Sequence, residues 1–235
     1  MSPSTRRSSI LAVALAAIAA LCPRLVGASE LVSFPTRDGG RVQGDLYGAG
    51  GRGVVLVHGG RFDRTSWRAQ AEALAAAGFR ALAIDLRAAA EVRAGKESSC
   101  LYDAACLAVD VLAAADYLRR SGTQTVSLVG GSLGGGAAAQ AAVEAAPGAI
   151  DRLVLLAPMA IDAPERMQGR KLFVTSRDDT SGSGPRLPGI RQQYERAPEP
   201  KELLILEGSA HAQFLFATDQ GDRLLREIVR FLTAP

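Results

Sequence analysis

Eight apolar runs of strand length punctuate this chain of 235 residues: ELVSFPT from Glu30, RVQGDLYG from Arg41, GVVLVHG from Gly53, RALAIDL from Arg80, TVSLVGG from Thr125, RLVLLAP from Arg152, KLFVTS from Lys171 and ELLILE from Glu202. Helical segments separate most of the later ones, at Trp67 to Ala77, Leu107 to Arg120, Leu133 to Ala145 and Asp219 to Leu232. The first two runs have only RDGG between them, a turn signal, so they should pair as an antiparallel hairpin. From there, alternating strand and helix predicts an α/β fold, a mostly parallel eight-stranded sheet with helices on both faces. Thr180 to Pro188, TSGSGPRLP, reads as an irregular loop after the seventh strand.

The first 28 residues read differently. Arg6 and Arg7 precede the apolar run ILAVALAAIAAL, and VGA follows before Ser29. A basic start, a short apolar middle and small residues at the end are the pattern of a secretory signal peptide, with cleavage expected after Ala28. An uncleaved anchor is the alternative. Cys22 follows Leu21 where a lipid-attachment site wants a small residue, which argues against lipidation, and the arginine pair leaves a twin-arginine route open. The expected organisation is therefore a signal peptide over 1–28 and one catalytic domain over 29–235, exported to the periplasm or medium of a bacterium. Removing Arg6, Arg7 and Arg24 brings the formal charge from +3 to zero. Nothing then argues for a nucleic-acid partner or an anionic membrane surface, and no stable anchor is expected after cleavage. In an oxidising compartment Cys100 and Cys106 should pair, provided a helix begins after Cys100 so that the two can fold together. Asp103 is a suitable cap for such a start.

In a parallel sheet, chemistry collects at the carboxyl ends of the strands. The fifth strand runs into Gly130-Gly131-Ser132-Leu133-Gly134 and then an alanine-rich helix, a G-x-S-x-G turn that holds a serine hydroxyl exposed. A serine needs a base to become a nucleophile. The chain has two histidines. His211 sits in a Gly/Ser/Ala loop beyond the last strand and is the candidate base; His58 ends the third strand and is expected to hold its loop by hydrogen bonding. The imidazole needs a carboxylate, and SRDD at the end of the seventh strand offers Asp179, favoured because it stands further into the turn, or Asp178. Backbone N–H groups of Leu133 and of Gly60 or Arg61, in HGGR, are the candidate oxyanion donors. Phe214 and Phe216 beside His211 could line an acyl pocket or pack as core.

LVHGGR, GGSLGG, SRDD and GSAHAQF, in this order at strand ends, resemble the α/β-hydrolase superfamily, in particular its compact serine esterases and dienelactone-hydrolase-like members. The resemblance covers nearly all of 29–235. It implies a sheet whose second strand is antiparallel and acyl chemistry on an ester, thioester or amide, with no cofactor. Two departures stand out. DLRAAAE lacks the glycine many members carry after D-x-R, and only MAIDAPERMQGR separates the sixth and seventh strands, where many insert a lid. A largely uncapped site acting on a small ester follows from the second.

GAGGRG, Gly48 to Gly53, precedes a strand where a dinucleotide fingerprint must follow one, and no His/Cys/carboxylate cluster has metal-ligand spacing. The reading is thus an exported serine hydrolase of carboxylic esters or thioesters. A peptidase or cofactor-free perhydrolase on the same residues, and a binding protein that retained only the fold, are the alternatives. The sequence leaves the natural substrate and the oligomeric state open.

Overall fold

The computed structural model of the protein describes residues 29–234. The segment read as a signal peptide lies outside them. β1 (Glu30–Pro35) and β2 (Arg41–Tyr47) form the expected antiparallel hairpin, in register from Glu30 opposite Leu46 to Pro35 opposite Arg41. The chain then continues through β3 (Arg52–Val57), α1 (Arg68–Ala76), β4 (Phe79–Ile84), α2 (Arg87–Arg93), α3 (Ala104–Arg120), β5 (Thr125–Gly131), α4 (Leu133–Glu144), β6 (Arg152–Leu156) and β7 (Arg170–Ser176). A two-residue hairpin, β8 (Thr180–Ser181) with β9 (Gly184–Pro185), precedes α5 (Leu187–Arg196), β10 (Lys201–Leu206) and α6 (Gly221–Thr233).

The main sheet has eight strands in the order β1-β2-β4-β3-β5-β6-β7-β10. β2 runs antiparallel to both neighbours, and every pairing from β4 across to β10 is parallel. Burial follows from that position. Val54 to Val57 of β3, Ala81 to Ile84 of β4 and Leu153 to Leu156 of β6 are wholly buried because helices cover both faces, whereas β1 at the edge alternates exposed and buried. α3 and α4 pack side by side, with alanines throughout their contact, and α6 buries Leu224, Ile228, Phe231 and Leu232.

Two helices were not legible in the sequence. α2, RAAAEVR, is seven residues long, and α5, LPGIRQQYER, is polar and buries only Ile190 and Gln193. Neither shows a long apolar stripe; each forms because it docks, α5 on β7 and α2 on α3. The segment Thr180 to Pro188 accordingly carries the small hairpin and the first turn of α5.

The structure contains the Cys100–Cys106 disulfide, with Cα atoms 5.5 Å apart. Asp103 makes it possible: its Oδ1 accepts from the amides of Ala105 and Cys106 at 2.9 and 3.2 Å, so α3 starts just ahead of Cys106 and leaves Cys100 outside the helix. Six positions apart on one continuous helix the two sulfurs could not meet. Closing so short a loop should contribute about 2 kcal/mol, and for a domain of this size its removal should lower the melting temperature by roughly 4–8 °C. Thermal unfolding of native protein against the Cys100→Ser/Cys106→Ser variant measures this; an unchanged midpoint would show that the bridge contributes nothing.

Candidate active site

Ser132 occupies the corner between β5 and α4 with φ 52° and ψ −114°. A left-handed non-glycine residue is strained by about 1–3 kcal/mol, and it persists only where the surroundings fix it. Here its amide donates to Leu156 O at 2.9 Å, and its carbonyl accepts from Gly136 N at 3.0 Å and Met159 N at 2.9 Å. The corner also needs its glycines. A Cβ on Gly130 would collide with the Gly134 carbonyl, and one on Gly134 with the carbonyls of Val57 and His58. Helix, elbow and β3 therefore touch backbone to backbone, and the hydroxyl stands clear at the head of α4.

His211 lies beyond β10, three strands from β5 and so roughly 14 Å away at ordinary strand spacing. The loop returns across the strand ends by clipping onto β7: Arg177 N donates to Leu206 O, Asp178 N to Gly208 O at 2.9 Å, and Ser176 Oγ to Ala210 O at 2.7 Å. That path brings His211 Nε2 to 2.8 Å from Ser132 Oγ, and Nδ1 to 2.6 Å from Asp179 Oδ2. With Nδ1–H donating to the carboxylate, Nε2 is left to accept the serine proton. Asp179 is buried, 1% exposed, whereas Asp178 beside it is turned to solvent. The second carboxylate oxygen, Oδ1, is buried without a hydrogen-bond partner, and Arg186 Nε is 3.5 Å from it. The Arg186 amide also donates to Asp179 O at 2.9 Å, which fastens α5 and the small hairpin to the acid.

The loop after β3 forms the other side. His58 is fully buried; Nδ1–H donates to Gly59 O at 2.8 Å and Nε2 accepts from Leu86 N at 3.2 Å, so one neutral tautomer satisfies both nitrogens. Burial holds its pKa below the ordinary imidazole value. Arg64 stiffens the loop further on, with Nε on Asp45 at 3.0 Å and Nη1 on Asp85 at 2.6 Å. Gly60 sits against Leu133, whose Cδ2 would be 3.6 Å from a Cβ at that position. The Gly59 amide is already committed to Gln213 Oε1 at 2.6 Å. Gly60 and Arg61 thus remain as loop donors opposite the amide of Leu133, which heads α4.

Ser132, His211, Gly60, Arg61 and Leu133 open onto one cavity of about 900 Å³. Phe62 and Phe214 meet at a tilt with centroids 5.1 Å apart on its apolar side, and Leu101 and Tyr102 enter from inside the disulfide loop. Phe216 turns the other way, edge-on to buried Trp67. The two aromatics after His211 thus divide, one to the cavity and one to the core. Arg61 and Arg186 are the permanently charged side chains lining the cavity, and no carboxylate lines it. Among the described residues no group of three or more His, Cys, Asp or Glu is placed to hold a metal ion, and no helix is long and apolar enough to cross a membrane.

Ser132 after β5, Asp179 after β7 and His211 after β10 are thus brought within hydrogen-bond reach of one another. The model of the alpha/beta hydrolase family matches residues 54–232. The chain belongs to the alpha/beta hydrolase family. Its fold is similar to dienelactone hydrolase from Anabaena variabilis, at 23% identity and TM-score 0.68, over 86% of this chain and 94% of that one. It is also similar to an esterase from Pyrococcus furiosus, at 16% identity and TM-score 0.70 over 89% and 97% of the two chains. A dienelactone hydrolase-like promiscuous phosphotriesterase from metagenomic libraries aligns at 20% identity and TM-score 0.63 over 88% and 98%. At these identities the likeness speaks for the fold. No curated protein matches the chain in sequence.

For this alpha/beta hydrolase, one residue of the site escaped the sequence reading. Gln213 contacts the loop that carries Gly60, and the only hint was a polar residue inside the apolar stretch AQFLF. Of the two adjacent aspartates, geometry singles out one. Asp179→Asn should lower kcat by about 10⁴, because the imidazole would be held in the wrong tautomer, while Asp178→Asn should stay close to native. Steady-state ester hydrolysis by both variants measures the difference; comparable losses in the two would remove Asp179 from this position.

Proposed function

We propose that the protein is an exported serine hydrolase that cleaves carboxylic esters through an acyl-enzyme. The observation that carries this reading is the continuous relay from Ser132 Oγ to His211 Nε2 and from His211 Nδ1 to Asp179, at 2.8 and 2.6 Å. Ser132 Oγ attacks the ester carbonyl carbon as its proton passes to His211 Nε2, and Asp179 balances the imidazolium charge. The carbonyl oxygen, now an oxyanion, is held by the amide of Leu133 and that of Gly60 or Arg61. His211 returns the proton to the alcohol oxygen as the C–O bond breaks. Water then repeats the sequence on the acyl-enzyme, giving the acid and free serine. The export part of the reading rests on the pattern of residues 1–28 and is supported by the disulfide, which persists in oxidising compartments.

A fluorophosphonate probe should label the native protein once, and labelling should vanish in Ser132→Ala; a native protein that does not react is not a serine hydrolase. The open cavity has no large cap over it, so short-chain esters should be turned over with ordinary saturation and no jump in rate above the solubility limit of a long-chain ester.

The charge of the cavity refines the substrate. Of the two arginines in its lining, Arg186 faces the Asp179 carboxylate at 3.5 Å, so Arg61 is the charge left to meet a substrate, and an ester bearing a carboxylate should be drawn in faster than its neutral counterpart. At low ionic strength kcat/KM should favour the anion several-fold, and the advantage should shrink as salt screens Arg61. Paired p-nitrophenyl butyrate and p-nitrophenyl hemiglutarate assays test this; equal rates at all salt concentrations would show that Arg61 does not face the substrate.

A further inference from the structure

Three parts of the site come from distant stretches of chain: the loop after β3, the elbow after β5 and the histidine loop after β10. One side chain touches all three. Gln213 is two residues past His211 and is 8% exposed. Its Oε1 accepts from Gly59 N at 2.6 Å, and its Nε2 donates to Ser66 Oγ at 2.8 Å. Ser66 Oγ in turn donates to Asp63 O at 2.6 Å, at the head of the turn formed by Arg64–Trp67. The amide of Gln213 therefore spans the loop that carries Gly60, gripping its first residue and its far end.

The stem of the same side chain lies on the elbow. A Cβ on Gly131 would be 3.3 Å from Gln213 Cγ, and one on Gly59 would be 3.4 Å from Gln213 Oε1 and 3.5 Å from Ser132 Cβ. The glutamine stem thus lies directly against Gly131, where a Cβ would press on it, and its amide oxygen lies within van der Waals reach of Gly59. The backbone is also set to deliver it there, since Ala212, between His211 and Gln213, is in the left-handed region at φ 50° and is itself buried. That conformation costs energy for alanine and is retained only where neighbouring contacts hold it. Here the contacts that hold it include the two hydrogen bonds of Gln213 on one side and those of His211 to Ser132 and Asp179 on the other.

We infer that Gln213 is a positioning residue that locks the oxyanion loop to the histidine loop, fixing Gly60 and His211 relative to Ser132 through one side chain. This rests on the serine-hydrolase reading. Without the lock, the Gly59 N–H loses its buried acceptor and the loop is free to shift by a fraction of an ångström, which weakens oxyanion binding more than substrate binding. Differential loss of that kind falls on kcat and leaves KM alone.

The test is Gln213→Leu, close in volume and unable to accept or donate, with Ser66→Ala as a milder second variant that removes only the Nε2 contact. Rates are expressed per site titrated with a fluorophosphonate, so misfolded protein does not count. Gln213→Leu should lose about 10- to 100-fold in kcat with KM within about twofold, given that removal of a whole oxyanion donor costs about 10²–10³. A trifluoromethyl ketone, whose hemiketal oxyanion occupies the same hole, should lose affinity by the same factor as kcat. Ser66→Ala should shift both in the same direction by less. A merely structural glutamine would lower the titratable fraction and leave kcat per site and ketone affinity native in both variants, and that result overturns the inference. Should Gln213→Leu yield no titratable protein, native values for Ser66→Ala overturn it equally. A native protein that neither labels nor turns over esters removes the hydrolase reading first, which separates the two failures.

Discussion

The close approach of α4 to β3 at the elbow is the constraint on which the rest of the site depends. Two glycines, Gly130 and Gly134, allow backbone to meet backbone where any side chain would collide. That approach places Ser132 at a positive φ and leaves the Leu133 amide at the head of a helix whose first N–H groups have no intrahelical acceptor. The Ser132 hydroxyl and the Leu133 amide are thus one feature of the chain. They cannot drift apart without unpacking α4, a helix with ten buried residues among its twelve.

Asp179 and His211 are harder to place, because they come from the far side of the sheet. Parallel pairing from β4 across to β10 brings the carboxyl ends of those strands to the same edge, so distance along the sequence is irrelevant and lateral distance becomes the problem. The structure solves it by fastening the histidine loop to the end of β7 through Ser176 and by burying Asp179 between that loop and Arg186. A single carboxylate then has two tasks: one oxygen orients His211, and the other faces the cation that begins α5. The wall of the cavity and the orientation of the imidazole are coupled through the same residue.

Elements outside the sheet decide what can enter. The small hairpin and α5 form one wall, the disulfide loop bearing Leu101 and Tyr102 another, and the paired rings of Phe62 and Phe214 the rim. None is large enough to act as a cap. Each is held by a specific tie, the disulfide, the Asp179–Arg186 contacts or the ring contact, so the cavity is shaped by short segments and not by a separate domain.

Much of this was written into local sequence. Strand-length apolar runs divided by amphipathic helices imply a parallel sheet, because no other layer arrangement buries strands on both faces. The glycines around Ser132, the position of His211 beyond the last strand and the cap at Asp103 that lets Cys100 reach Cys106 are all readable from residues a few positions apart. The tertiary structure decided what depends on residues far apart. Between Asp178 and Asp179 the sequence offers only a preference for the residue further into the turn; the direction of that turn, fixed by the hydrogen bonds from Asp178 N to Gly208 O and from Arg186 N to Asp179 O, buries Asp179 and exposes Asp178. Phe214 and Phe216 divided between cavity and core for the same reason. α2 and α5 carry too little periodic apolarity to announce themselves and exist because they dock. Gln213 lies within GSAHAQF, but nothing local gives it a role: its partners are 154 and 147 positions away, and only a fold that brings those loops together gives its amide something to hold.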